Sequence, residues 1–258
     1  MNSLIPHQYI AMTAHLPEHC QPLAADEKFC FACHPGVTCF TECCRQLDLA
    51  LTPYDLLRLK KRLGLDSGSF LEQYVIVAWE EGMIFPACFL TMIDDGRASC
   101  VFVTDEGCSV YDDRPAACRA YPAGRGASRR ADDTLAERFV LLREPHCLGF
   151  AEQQAQTAPE YFQAQGLTEF NCCNDQLLSL FQHPQIQAGF RLTQAQMDQY
   201  IMALYNVDFF RQEMADGRIM MKRPLSVLEL RALAGDDEEL LLLGLRWLLQ
   251  EYFGETSR

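Results

Sequence analysis

The sequence predicts a mostly helical α+β fold, with a cysteine-rich first half that carries a short β-hairpin and a helical half after it. Three observations predict this. Eleven of the thirteen cysteines fall in residues 1–150, and only Cys172 and Cys173 lie beyond. The short apolar runs FPACFLTMI and CVFVT are separated by Asp94-Asp95-Gly96, a turn signal between strands. Beyond Gly149 helix-start signatures recur: Thr157 with Glu160, Thr193 with Gln196, Ser226 with Glu229, and Asp236 with Glu239.

Residues 1–28 show no sustained periodicity and carry Pro17 and Pro22, which reads as an extended arm. Thr52-Pro53-Tyr54-Asp55 is a helix start, because Thr52 can accept from free amides, Pro53 loses nothing in the first turn and Asp55 suits the positive end. Leu56, Leu59 and Leu63 then share one face, and Gly64 ends the helix. Ser69 with Glu72 predicts a second helix that turns Phe70, Tyr74 and Val77 inward. A further turn is expected at Asp105-Glu106-Gly107. Gly124 to Asp133 reads as a small, charged loop, and Phe139-Val140-Leu141-Leu142 as a strand returning Cys147 to the other cysteines. Glu238 to Phe253 is apolar nearly all round, with Leu240 to Leu243, Trp247 and Leu248, so this helix is expected to be buried in the protein or in a subunit contact.

With 258 residues, 49% of them apolar, the chain can bury a core without covalent staples. No basic leader followed by an apolar run is seen at the N-terminus, and no segment reaches the ~18 apolar residues of a membrane span. The expectation is a soluble, cytoplasmic protein without a membrane partner. The net charge of −13 repels polyanions, so nucleic acid is not expected as a partner. Arg119, Arg125, Arg129 and Arg130 are a local exception: either a solvated basic loop or a seat for an anionic ligand. A protein partner and the oligomeric state are left open.

In a reducing compartment clustered cysteines read as metal ligands or catalytic thiols, and an odd total cannot pair fully. The stretch CFACHPGVTCFTECC holds Cys30, Cys33, Cys39, Cys43 and Cys44. Cys30 and Cys33 have the x-x spacing that lets two sulfurs reach one ion, and Pro35-Gly36 supplies a turn. Five sulfurs exceed the four of a mononuclear site. Cys100 and Cys108, which flank a turn, Cys118, beside Arg119, and Cys147 are further candidates. These nine cysteines form the expected metal site, a long-range cage stapling the first half. Residues 1–150 are thus read as a cysteine-cluster metal-binding region and 151–258 as a helical region, either separate or one folded unit. Cys88, within an apolar run, is expected in the core, as are Cys172 and Cys173 on a helix; Cys20 is undecided. His34 and His146 are either ligands or hydrogen-bonding neighbours of the site. Asp112 and Asp113 are expected to form a salt bridge with Arg114 that fixes the Cys118 loop. No single thiol stands out as a nucleophile, so catalytic residues are not assigned.

Cys30-x-x-Cys33, the Cys-His-Pro-Gly-Val-x-Cys-Phe run to Cys43-Cys44, Cys100-Val-Phe, Cys108-Ser-Val-Tyr and Arg114-Pro-x-x-Cys118-Arg-x-Tyr-Pro122 together resemble the cysteine-cluster family described as a putative zinc- or iron-chelating domain. The likeness runs from about Phe29 to Phe150. The shorter family pattern, Cys-x-x-Cys-x-x-Cys-Cys, is not met literally; the chain is similar to a longer His-Pro-Gly variant. The same family includes flagellin lysine N-methylase-like proteins, for which the resemblance implies an iron-sulfur cluster and S-adenosylmethionine. Here no Cys-x3-Cys-x2-Cys loop and no Gly-rich strand-to-helix turn is present. Adjacent cysteines and an excess of sulfur suit a multinuclear iron-sulfur cluster better than zinc, which favours paired knuckles and four ligands per ion. The expected function is a metal-binding, iron-sulfur redox or protein-modifying enzyme. Its alternatives are a zinc-binding structural or interaction module and a metal-delivery protein.

Overall fold

A computed structural model describes residues 19–79 and 82–254. The fold is α+β, with the strands gathered in the first half of the chain and helices dominating the second. Two compact units are present, both discontinuous in sequence. One comprises the chain through Leu51 together with Phe89–Asp175; the other comprises Thr52–Cys88 and the chain from Gln176 onward.

The first unit is built on small antiparallel sheets. Leu135–Leu142 is the central strand of one, flanked by Cys20–Leu23 and by Ala123–Arg129, with Cys20 opposite Leu142 and Arg129 opposite Leu135. The segment expected to be a charged loop is therefore mostly strand. Its Gly, Ala, Ser and Arg residues have low strand preference, and the ladder to Leu135–Leu142 overrides that preference. Arg125, 8% exposed, is fixed there by Asp175 at 2.8 Å and Glu137 at 2.5 Å. Arg119, 6% exposed, donates to the carbonyls of Arg114, Gln165 and Asp112. Arg119 and Arg125 are thus buried and bonded within the protein, while Arg130 stays exposed in the turn after the strand.

Lys28–Cys30 pairs with Ala155–Thr157, which leads into the helix Ala158–Ala164 through a capping box at Thr157. Phe29 and Phe31 meet Tyr161 edge to face at 5.7 and 6.0 Å, an arrangement favoured by the ring quadrupoles. Both expected turns are present. Met92–Ile93 pairs with Ser99–Cys100 across Gly96, and Val103–Thr104 pairs with Gly107–Cys108. Gly107 has φ 125°, a left-handed conformation that the turn requires and glycine adopts without strain. The arm expected over residues 1–28 lies largely outside the described residues; its last part is the Cys20–Leu23 strand.

In the second unit Thr52 and Asp55 exchange side-chain and backbone bonds at 3.2 and 2.7 Å at the start of the helix Pro53–Leu63, and Gly64 closes it with φ 67°. Leu56 and Leu59 are fully buried. The second helix, Ser67–Tyr74, begins earlier than expected because Asp66, not Ser69, is its cap. It gives way to the strand Val75–Ala78, so Val77 is 49% exposed and does not face inward. The helix Asp237–Phe253 is buried within this unit along most of its length. Its Gly244 lies so close to the Ala203 carbonyl that an added Cβ would collide with backbone. Cys88 is fully buried, as expected of a core residue; Cys172, expected in the core, is exposed on the helix Leu167–Gln176, whose buried positions are Leu167 and Phe170.

One buried carboxylate ties this helical unit together. Glu229 is 0% exposed, the N3 member of the Ser226 capping box, and takes ion pairs from Arg223 at 2.7 Å and Arg246 at 3.0 Å. Burial opposes its ionised form, but the bonds from Arg223 and Ser226 and the charge of Arg246 win, and its pKa falls to about 2. A carboxyl whose folded pKa is depressed stabilises the fold above its unfolded value and loses that contribution as pH falls. Glu229→Gln is therefore expected to lower stability at pH 7 by on the order of 2–3 kcal/mol. The gap should narrow between about pH 4.5 and pH 2; urea melts of both proteins across that window check this.

Candidate metal centre

The cysteine sulfurs lie on separate segments of the first unit. Cys33 and Cys39 sit in the turns after the Lys28–Cys30 strand, and Cys43 and Cys44 end a short 3-10 turn at Glu42–Cys44. Cys100 and Cys108 are on the two hairpins, Cys118 is on the short helix Ala116–Ala120, and Cys147 follows the long strand Leu135–Leu142. A cavity of about 600 Å³ opens among them, with Cys33, Cys43, Cys44, Cys100, Cys108 and Cys118 in its wall.

Electrostatics sort the thiols into two groups. Cys33 is exposed as a residue, yet partial burial of its sulfur and then the nearby Cys43, Cys39 and Cys147 push its pKa up to about 11 against the pull of Arg114. Cys43 is pushed well up, first by its hydrogen bond with Cys44 and then by burial. Burial raises Cys147, which also feels Cys39 and Cys43. Cys100 and Cys108 form the other group: burial raises both, and Cys108 acts on Cys100. A cation bound beside these thiols would favour their ionised form.

Hydrogen bonds aimed at sulfur oppose these shifts and favour the thiolate. The amide of Leu148 donates to Cys39 Sγ at 3.2 Å. Nearby backbone amides also pull the thiol pKa values down: Phe102 and Val103 at Cys100, Val110 at Cys108, and Gly149 at Cys147. The Tyr121 hydroxyl also bonds Cys147 and stands 2.9 Å from Glu144. Such outer bonds orient metal ligands and tune the metal. Tyr121 was not singled out by sequence reasoning, although it stands in the Cys118-Arg-x-Tyr-Pro122 run.

Among the described residues no three His, Cys, Asp or Glu side chains stand at metal-holding spacing. The cysteines nonetheless fit a thiophilic ion in their chemistry: Cys33, Cys43, Cys44, Cys100, Cys108 and Cys118 line one cavity, and the Leu148 amide donates to Cys39 Sγ. Residues 32–148 match the family model named CxxCxxCC, described as a putative zinc- or iron-chelating domain. Residues 32–148 are thus similar to that domain. No curated protein and no solved structure matches the chain. The domain supports metal binding in general terms.

Not every candidate lies with the CxxCxxCC sulfurs. Cys30 precedes the matched segment, is exposed, and pairs with Ala155 in its small sheet. Cys20 is half-buried on the edge strand opposite Leu142. His34 turns back to accept from the Gly36 amide at 3.1 Å, the behaviour of a polar turn residue, while His146 lines the cavity with its Nε2 3.8 Å from Glu144. The expected ion pair between Asp112 or Asp113 and Arg114 is not formed. The Arg114 guanidinium donates instead to the Tyr111 carbonyl and to Gln165.

A close backbone approach joins the two arms that carry Cys33 and Cys147. Ala32 donates to the Gly149 carbonyl at 3.2 Å, and a Cβ at Gly149 would lie 2.6 Å from both Ala32 O and Phe31 Cε2. Gly149→Ala is expected to cost about 1–3 kcal/mol of stability through forced backbone movement. It should also weaken metal retention, read by denaturant melts and by elemental analysis of the same preparation.

Proposed function

We propose that this chain binds zinc or iron through the thiolates of Cys33, Cys39, Cys43 and Cys147, with Cys44, Cys100, Cys108 and Cys118 supplying further ligands from the cavity wall. The observation that carries the reading is the cavity of about 600 Å³ with Cys33, Cys43, Cys44, Cys100, Cys108 and Cys118 in its wall, within residues that match a putative zinc- or iron-chelating domain. Cys30 is the least favoured of the nine sequence candidates.

Within that reading an iron-sulfur cluster is preferred to zinc. More sulfurs surround the cavity than one tetrahedral ion needs, and Cys43 and Cys44 are adjacent, which suits ligands directed at more than one iron. A bound cluster would supply one-electron chemistry, or a Lewis-acidic iron if one position stays open. The protein's own contribution is to hold the thiolates with backbone amides and to admit a ligand beside them. A cavity of about 600 Å³ is large enough for a small molecule or a side chain of a protein substrate. This supports a redox or protein-modifying enzyme over a purely structural site. An S-adenosylmethionine-dependent reaction rests on family resemblance alone and is not part of the proposal. The reading places the protein in a reducing compartment such as the cytoplasm, and among the described residues no helix is long and apolar enough to cross a membrane.

The competing reading is a zinc module with a structural or protein-binding role, favoured by the amide-to-sulfur bonds at Cys100, Cys108 and Cys147, which also serve simple zinc turns. Anaerobic purification separates the two. Brown protein with matched iron and acid-labile sulfide supports the cluster; colourless protein with stoichiometric zinc overturns it and leaves the zinc module.

A further inference from the structure

The helix Val227–Ala234 presents its polarity in reverse. Its one carboxylate, Glu229, is buried with Ala232, whereas Val227, Leu228 and Leu230 are each at least half exposed. A surface helix ordinarily turns its apolar stripe inward. Arg231, four residues on from Val227, is exposed on the same outward face. The same unit carries a second bare apolar surface. Val75–Ala78 is an edge strand, and Ile76, Val77 and the following Trp79 are about half exposed. Ile76 and Val77 are adjacent and so point to opposite faces of the strand, which leaves neither face covered. An exposed apolar edge is a template for another chain, and contiguous exposed apolar patches mark interaction sites.

The two surfaces differ in charge. Around the helix, residues 219–234 carry Lys222, Arg223 and Arg231, and the one carboxylate there is the buried Glu229. Around the strand, residues 66–81 carry Asp66, Glu72, Glu80 and Glu81 and no lysine or arginine. We propose that the Val227–Ala234 helix of one copy docks on the Val75–Ala78 edge of a second copy, so that the chain associates with itself through two different surfaces. Apolar side chains meet apolar side chains, and the basic surround of the helix meets the acidic surround of the strand. Each surface supplies what the other lacks, which singles out a second copy as the occupant. Tryptophan and arginine are the residue types that carry most energy in such contacts, and a guanidinium over an indole adds a cation–π attraction. The contact is heterologous, because the two surfaces are not the same. It uses none of the cysteines assigned to metal and stands apart from the metal reading.

Sedimentation velocity of the full reduced chain over a concentration series, with tryptophan emission read on the same samples, tests this. Trp247 is buried, so a change in emission on association reports Trp79. The wild type is expected to sediment faster as concentration rises, with its emission moving to the blue. Arg231→Glu, Leu230→Glu and Ile76→Lys, all at exposed positions, should associate at least about tenfold more weakly. The deciding sample is an equimolar mixture of Arg231→Glu with Ile76→Lys. The first chain keeps an intact strand and the second an intact helix, so a one-to-one complex should form where neither associates alone. A wild type that stays monomeric throughout overturns the proposal, and association that survives all three substitutions does so too, because it uses another face. Loss in the single variants without recovery in the mixture also overturns it, since that pattern belongs to a contact between like surfaces. Should either chain of the mixture fail to fold, Leu230→Glu replaces Arg231→Glu and Trp79→Ala replaces Ile76→Lys, with the same outcomes deciding.

Discussion

Lys60→Ala should destabilise the helical unit by about 3–5 kcal/mol, the largest single loss expected outside the backbone collisions. Lys60 is 4% exposed and its ammonium contacts Asp208 at 2.8 Å and Asp237 at 2.7 Å. Arg211 bridges the same two carboxylates, and Asp208 also accepts from the Ser67 amide at 2.7 Å. Asp237 opens the buried helix Asp237–Phe253, and Asp208 lies in the first turn of Val207–Ala215. Truncating the lysine leaves two carboxylates facing one another with only the Arg211 cation, in a partly buried site. Denaturant unfolding at pH 7 measures the loss. Removing the repulsion as well, in Lys60→Met with Asp237→Asn, should recover a substantial part of it; an equal loss in both proteins would show that the lysine stem, not its charge, is what matters.

The second large effect concerns the sulfur cage. Cys43→Ala is expected to remove most of the bound metal, because Cys43 is the residue common to the coupling with Cys33, Cys147 and Cys44. Metal-binding energy is in part folding energy, so the variant should also melt earlier than the metal-loaded parent. Cys88→Ala is the control. Cys88 is fully buried, burial alone pushes its thiol up, and it belongs to the other unit, so metal content should not change while stability falls modestly. Elemental analysis of the three proteins gives the comparison.

Local chemistry made much of this architecture legible in the sequence. The caps at Thr52, Thr157, Thr193, Ser226 and Asp236 all start helices, since a side chain three residues before its acceptor or donor acts within one turn. The two tight hairpins followed from Asp-Gly and Glu-Gly turn chemistry for the same reason. Ala123–Arg129 was not legible, because a strand of small and basic residues is specified by its partner strand and by Arg125's distant carboxylates. Val77 and Cys172 were misplaced for a related reason: helical spacing predicts a face only while the helix lasts, and it does not say which face the rest of the chain covers.

Within the site, the cysteine set was readable from spacing and density, whereas the supporting groups were not. The Leu148 amide reaches Cys39, and Tyr121 reaches Cys147, only through folding. The division of the sulfurs into a Cys33, Cys39, Cys43 and Cys147 group and a Cys100 and Cys108 group is likewise a product of the fold.

Differential alkylation of the reduced chain with and without bound metal, read residue by residue by mass spectrometry, tests the central claim most directly. Metal is expected to protect Cys33, Cys39, Cys43 and Cys147, and to leave Cys30 and Cys172 as reactive as before. Equal labelling of the first four cysteines in the metal-loaded and metal-free protein would contradict the assignment of these thiols as ligands.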